Sequence, residues 1–263
     1  MTKHLSDLRP VYVVGVGRHQ YQSPSKTPYI QLGLTAIRRA LDDAGIAWPD
    51  VESTYTGTAM LGMATSRPML RHLGESGAPM TQVENASASG SSAFRLACLD
   101  VASGISDISL AVGVDKPGRV GPASLETGIP ELSAARVAPF THFALLADEY
   151  MNAYGATPEQ IAAVAVKNFS NAALNPYAQR QKAYTLEEVL GGHAISGIFT
   201  KLQCCPVGEG AAAVLVVSED AIDRLGLDRS RCVKVLSSAQ RSEQLYGSKS
   251  FDAELTRETT RLA

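Results

Sequence analysis

Three stretches of this chain are apolar at odd and even positions alike: VYVVGVG (11–17), ISLAVGVD (108–115) and the middle of GEGAAAVLVVSED (208–220). A strand with one wet face alternates apolar and polar residues, so unbroken runs of this length predict strands covered on both faces. The segments between them carry helical spacing. IQLGLTAIRRALDDAGI (30–46) is periodic and stops at Gly45, and the helix after residue 88 has Ala93, Ala97 and Val101 on one stripe with Gly104 as its stop. VESTYTGTAM (51–60) and APMTQVEN (78–85) read as further strands, with SRPMLRHLG (66–74) a short helix between them. A β-α-β-α-β-α-β order argues for an α/β fold with a largely parallel sheet covered by helices.

The most informative corner is QVENASASGSSAFRLACLDVASG (82–104), where a buried strand is expected to run into a helix through Ala, Ser and Gly. A residue at a helix start faces unpaired backbone N–H groups and the positive end of the helix dipole. That setting lowers a thiol's pKa and stabilises an oxyanion, and small neighbours let a ligand approach the backbone. Ser87 is therefore the candidate catalytic residue. The competing reading is a serine cap in a tightly packed turn.

Residues 116–139, KPGRVGPASLETGIPELSAARVAP, break the pattern with Pro and Gly and read as a lid or substrate loop, or as a surface insertion. THFALLADEYMNAYG (141–155) and TPEQIAAVAVKNFSNAALN (157–175) follow as two helices, the second with Thr157 as its cap and only a loose capping-box match. At Cys232 the opening order of strand, loop and helix begins again and then stops within a helix. The expectation is that the second round is truncated, or is completed by a partner chain.

With a net charge of −2, the chain has no electrostatic footprint for nucleic acid or an anionic membrane. No apolar run is long enough to span a membrane, and MTKHLSDLRP lacks a signal peptide's apolar core, so a cytoplasmic location is expected. Cys98, Cys204, Cys205 and Cys232 do not form a spaced framework. Reduced thiols and no metal site are expected, with Cys98 a buried structural thiol.

The corner resembles the nucleophile motif of thiolases, V-x-x-x-C-x-(S/T)-G-S-x-A, with Val83, Ser89, Gly90, Ser91 and Ala93 in step and Ser87 where the family has its cysteine. NPYAQRQKAYTLEEVL (175–190) and LQCCPVGEGAAAVLV (202–216) resemble the sterol-carrier-protein-type (lipid-transfer-protein) thiolases, which carry N-P-Y-x-Q and L-Q-C-C-P-x-x-D-G-A-A-A. Glu209 stands at the Asp of that second motif. The resemblance spans residues 11–262.

It implies a five-layered αβαβα fold of two similar halves, each with a mixed sheet, plus a loop domain that binds coenzyme A. On this chain it maps to an N-terminal core (1–115 and 205–230), a coenzyme A- and substrate-binding loop domain (116–204), and the beginning of a C-terminal domain (231–263). The family's histidine and second-cysteine elements lie in that C-terminal half, and His4, His19, His72, His142 and His193 match none of them. By the same resemblance His142 falls at a pantetheine-contacting methionine; as a residue it reads equally as a partly buried helix-start histidine. Cys205 aligns with a small residue of the coenzyme A channel.

The implied function is thiolase-type acyl transfer or C–C bond cleavage on a 3-oxoacyl-CoA, or on a steroid or branched-chain acyl-CoA, in lipid metabolism. The thioester is the substrate and no cofactor is bound covalently. Thiolases pair through the strand leading into this corner, so a homodimer is expected. An alcohol is hardly ionised near neutral pH, whereas a free thiol has a pKa of about 8.5. Ser87 thus leaves open a retro-aldolase on a steroid side-chain CoA ester, a silent acyl-CoA-binding subunit, or an engineered Cys→Ser change.

Overall fold

The computed structural model describes residues 4–117, 139–242 and 251–263. In chain order the elements are β1 (Val11–Gln22), α1 (Tyr29–Ala44), β2 (Ser53–Gly57), α2 (Ser66–Leu70), β3 (Met80–Val83), α3 (Ser89–Ser103) and β4 (Ile108–Asp115). Then follow α4 (Pro139–Tyr154), α5 (Pro158–Ala173), α6 (Leu186–Leu190), β5 (Ala194–Ser196), β6 (Phe199–Thr200), β7 (Glu209–Ser218), α7 (Glu219–Leu225), β8 (Val233–Lys234) and α8 (Phe251–Leu262). They divide into two compact units. One runs to His19, from Lys26 to Asp115 and from Gly210 onward; the other takes Gln20–Ser25 and Lys116–Glu209.

The first unit is built on a six-stranded sheet ordered β3-β2-β4-β7-β1-β8. β2 pairs in parallel with β3 and with β4, but β4 and β7 are antiparallel, as are β1 and β8. The largely parallel sheet expected from element order is therefore corrected to a mixed one, the kind the resemblance implied. Parallel neighbours need a crossover from one end of the sheet to the other. After Asp115 the chain instead enters the second unit and returns with Gly210 opposite Asp115, so β7 runs back along β4.

The parity of β4 explains its unbroken apolar run. Ile108, Leu110, Val112 and Val114 belong to the larger core cluster with Leu32, Ile37 and Leu41 of α1. Ala111, on the other parity, joins Ala97, Cys98 and Val101 of α3. Each large aliphatic side chain fully buried in this way contributes about 1.5–3 kcal/mol. The α3-facing parity of β2 and β4 is mostly small: Ser53 lies opposite Ser109, Tyr55 opposite Ala111 and Gly57 opposite Gly113. α3 can therefore press closely onto the sheet. Helices α1 and α3 end at Gly45 and Gly104, whose φ values of 68° and 84° place them in the left-handed region that glycine adopts without penalty.

A further expectation is corrected. β3 sits at the sheet edge and is exposed or half-buried along its length rather than buried, because among the described residues only β2 pairs with it. The strand at Cys232 is two exposed residues, Val233–Lys234, and it finds its neighbour in β1 of the same sheet.

The second unit holds α4, α5, α6 and the β5–β6 hairpin. Helix α5 opens with a complete capping box: the Gln160 N–H donates to Thr157 Oγ1 (3.3 Å) and the Thr157 N–H donates to Gln160 Oε1 (3.0 Å). Most of the proposed lid, 118–138, lies outside the described residues. Among the described residues, no helix is long and apolar enough to cross a membrane.

Candidate active site

The strand-to-helix corner begins where β3 ends at Val83 and α3 begins at Ser89. Its closeness to the sheet explains its small residues. A Cβ added to Gly57 would lie 2.5 Å from the carbonyl carbon of Ser89 and 2.8 Å from the Gly90 nitrogen, and Gly90 packs against Gly113. Deeper along the helix, the Ser53 hydroxyl donates to the Asp100 carboxylate (2.5 Å) and meets the Ser109 hydroxyl at 2.8 Å, joining α3 to β2 and β4 through buried groups.

Within the turn Ala86 has φ 45°, a left-handed conformation that costs an L-residue about 1–2 kcal/mol. Ser87 follows it, exposed, two residues before the helix, with Ala88 as an N-cap that supplies no side-chain bond. Among the described residues no side chain lies in hydrogen-bond contact with the Ser87 hydroxyl, and the N–H groups of Gly90 and Ser91 find no acceptor. Glu84 receives the Ala86 N–H at 2.7 Å, which puts a carboxylate, not a base-activated pair, beside the turn. A cleft of about 1,310 Å³ reaches the residues on either side of Ser87, Asn85 and Ala88, and continues along Ser92 and Arg95 to residues 237–242.

The other two candidates lie in the second unit. His142 is exposed near the start of α4, with its ring edge-on to Phe143 at 5.6 Å. Cys205 is exposed and lines, with Cys204, a cleft of about 450 Å³ walled by Ile161, Val164, Phe169 and Phe199. His142 does not line that cleft. Among the described residues no group of His, Cys, Asp or Glu could hold a metal ion. Cys98 is buried, and burial pushes its thiol up to about 12 despite the nearby Arg95.

Residue reasoning missed the setting of Glu209. Fully buried at the start of β7, it is ion-paired with Lys116 and accepts from Ser25 (2.5 Å) and Gln22 (2.8 Å). Burial alone would raise its carboxyl, but those three donors, joined by the Ser25 backbone N–H, outweigh it and hold the group at about 2.

A mixed sheet whose edge strand turns through small residues into a tightly seated helix places the chain in the α/β class. Residues 11–186 match the thiolase N-terminal domain, and the chain belongs to the thiolase superfamily. It is similar to sterol carrier protein 2 of Gallus gallus, 34% identical over 255 residues, covering 89% of this chain and 46% of that protein. It is also similar to the benzoylsuccinyl-CoA thiolase subunit BbsB of Thauera aromatica, 33% identical with 89% of this chain and 61% of that protein covered. The chain thus spans about half to three-fifths of these curated relatives.

Among solved structures, the Ltp2-ChsH2(DUF35) aldolase superposes with a TM-score of 0.71 at 25% identity, over 84% of this chain and 58% of that one. Human mitochondrial 3-ketoacyl-CoA thiolase in complex with CoA superposes with a TM-score of 0.64 at 17% identity, over 86% and 69%. The second likeness bears on the fold alone.

Proposed function

We propose that this protein holds a branched-chain or steroid acyl-CoA and cleaves a carbon–carbon bond next to the thioester by retro-aldol chemistry, with no acyl-enzyme. The observation that carries the reading is Ser87: an alcohol at the family's nucleophile position, with no side-chain base in contact among the described residues. Acyl transfer needs a thiolate or an activated hydroxyl; retro-aldol cleavage needs neither. A base takes the proton of a 3-hydroxyl, the C2–C3 bond breaks as the carbonyl forms at C3, and the electron pair passes to C2 as a thioester enolate. Protonation at C2 then releases a shortened acyl-CoA.

Amides at the start of α3 suit a developing oxyanion, and the second unit, with His142 and Cys205, is assigned to the coenzyme A portion. The likeness to an aldolase solved with a second component supports both the chemistry and a partner chain.

The test supplies a 3-hydroxyacyl-CoA bearing a branched C3, with free coenzyme A omitted. The expected products are a ketone and a shortened acyl-CoA at unchanged total thioester. Coenzyme A-dependent thiolysis of a 3-oxoacyl-CoA by the unaltered protein would overturn the reading, and so would tight acyl-CoA binding with no cleavage in the presence of its partner chain, which marks a silent subunit.

A further inference from the structure

We propose that Ser89 is a positioning residue for the corner: its hydroxyl holds Ala86 left-handed and so fixes where the residue at 87 sits ahead of α3. The inference concerns where the chain places the residue at the family's nucleophile position and does not depend on the retro-aldol reading. Ser89 is buried, and its hydroxyl is used twice on the chain upstream of the helix. It accepts the Asn85 N–H at 2.8 Å and donates to the Ala86 carbonyl at 2.7 Å. A serine in a helix's first turn ordinarily bonds locally to its own helix or to solvent; here it joins the Asn85 N–H, one peptide upstream of Ala86, to the Ala86 carbonyl.

Asn85 is fixed a second time, its Nδ2 donating to Ser92 Oγ at 2.9 Å. With the ends of the turn held, Ala86 keeps φ 45° against the push of its own Cβ. The Ser89 N–H also donates to the Ala86 carbonyl (3.2 Å) and the Ala86 N–H donates to Glu84, so removing the Ser89 hydroxyl loses the Asn85 tie and one of two bonds on that carbonyl and loosens the turn that places residue 87. Gly57 and Gly113 set the depth of the helix start; Ser89 sets the direction of what precedes it.

The experiment replaces the alcohol by a reporter thiol, so it needs no substrate and stands apart from the retro-aldol reading. In a Ser87→Cys background, iodoacetamide alkylation is followed against pH, the labelled site being located by peptide mass spectrometry against the native cysteines. The position-87 thiol is expected to titrate below the ordinary value of about 8.5. Ser89→Ala is expected to raise that midpoint by about one unit, slowing alkylation at pH 7 roughly tenfold; Ser89→Thr should restore it. Adding Ala86→Gly to Ser89→Ala should recover part of the loss, because glycine reaches positive φ unaided. An unchanged midpoint in a folded Ser89→Ala protein, or a failure of Ser89→Thr to restore it, overturns the proposal.

Discussion

Adding a single methyl group at Gly57 should separate the sheet from the start of α3. The new Cβ would sit 2.5 Å from the Ser89 carbonyl carbon and 2.8 Å from the Gly90 nitrogen, and closer still to the Ser89 carbonyl oxygen. Carbon atoms in contact settle at about 3.5 Å or more. The helix start must therefore retreat by roughly 1 Å, and the obstacle is backbone, with no flexible side chain to swing aside. Overpacking of this kind costs about 2 kcal/mol, a fall in Tm of roughly 4–8 °C at about 2–4 °C per kcal/mol. A 1 Å misplacement near a reacting group costs on the order of a hundredfold in rate.

Gly113→Ala is the matched control. It addresses the same helix from the adjacent strand, but its Cβ would lie 3.4 Å from Gly90 Cα, an ordinary contact. Thermal melts and hydrogen exchange at the Ser92 amide, which donates to the Ala88 carbonyl at 2.9 Å, report the two effects. Gly57→Ala is expected to lower both Tm and protection while Gly113→Ala changes neither by more than a third as much. A Gly57→Ala protein as stable and as protected as its parent, or equal damage from Gly113→Ala, would refute the close seating of α3.

Three other outcomes are expected. Glu209→Gln removes one charge of a buried pair and strands Lys116, at a cost of about 3–5 kcal/mol in chemical denaturation. Because the folded Glu209 carboxyl is held at about 2, below its ordinary 4.5, the stability it contributes is full above about pH 4.5 and is lost as pH falls toward 2; acid titration of the parent against Glu209→Gln should show this difference closing. Alkylation at pH 8 should label exposed Cys205 and spare Cys98, whose thiol stays protonated up to about 12. The exposed β3 edge is expected to pair with a second copy, so light scattering at micromolar concentration should give the mass of a dimer; a monodisperse monomer would refute that pairing.

What was legible in the sequence was local. Helix α1 with its Gly45 stop and strand β4 follow from spacing alone, because apolar period and a left-handed cap are properties of neighbouring residues. The direction of β7 was not legible: it depends on where the chain re-enters after the second unit, and a strand's composition carries no arrow. Tyr55 and Ala111, or Gly57 and Gly113, became one surface only when register set them opposite each other. The run of small residues at 86–93 was visible, but not the glycines it was small for.

The candidate site divides in the same way. Ser87 stood out through its place at a small-residue helix start and then through a motif; among the described residues its hydroxyl meets no side-chain partner that a pattern could announce. Ser89 looks like any serine at a helix start, and its role emerges only from which backbone groups its oxygen reaches. Glu209 reads as a one-methylene departure from the family's Asp, yet its partners Gln22 and Lys116 lie 187 and 93 residues away in the chain. The longer side chain bridges donors brought in by β1 and by the end of β4. A buried carboxylate with donors from three distant residues is a property of the assembled unit, so no window of sequence around residue 209 contains it.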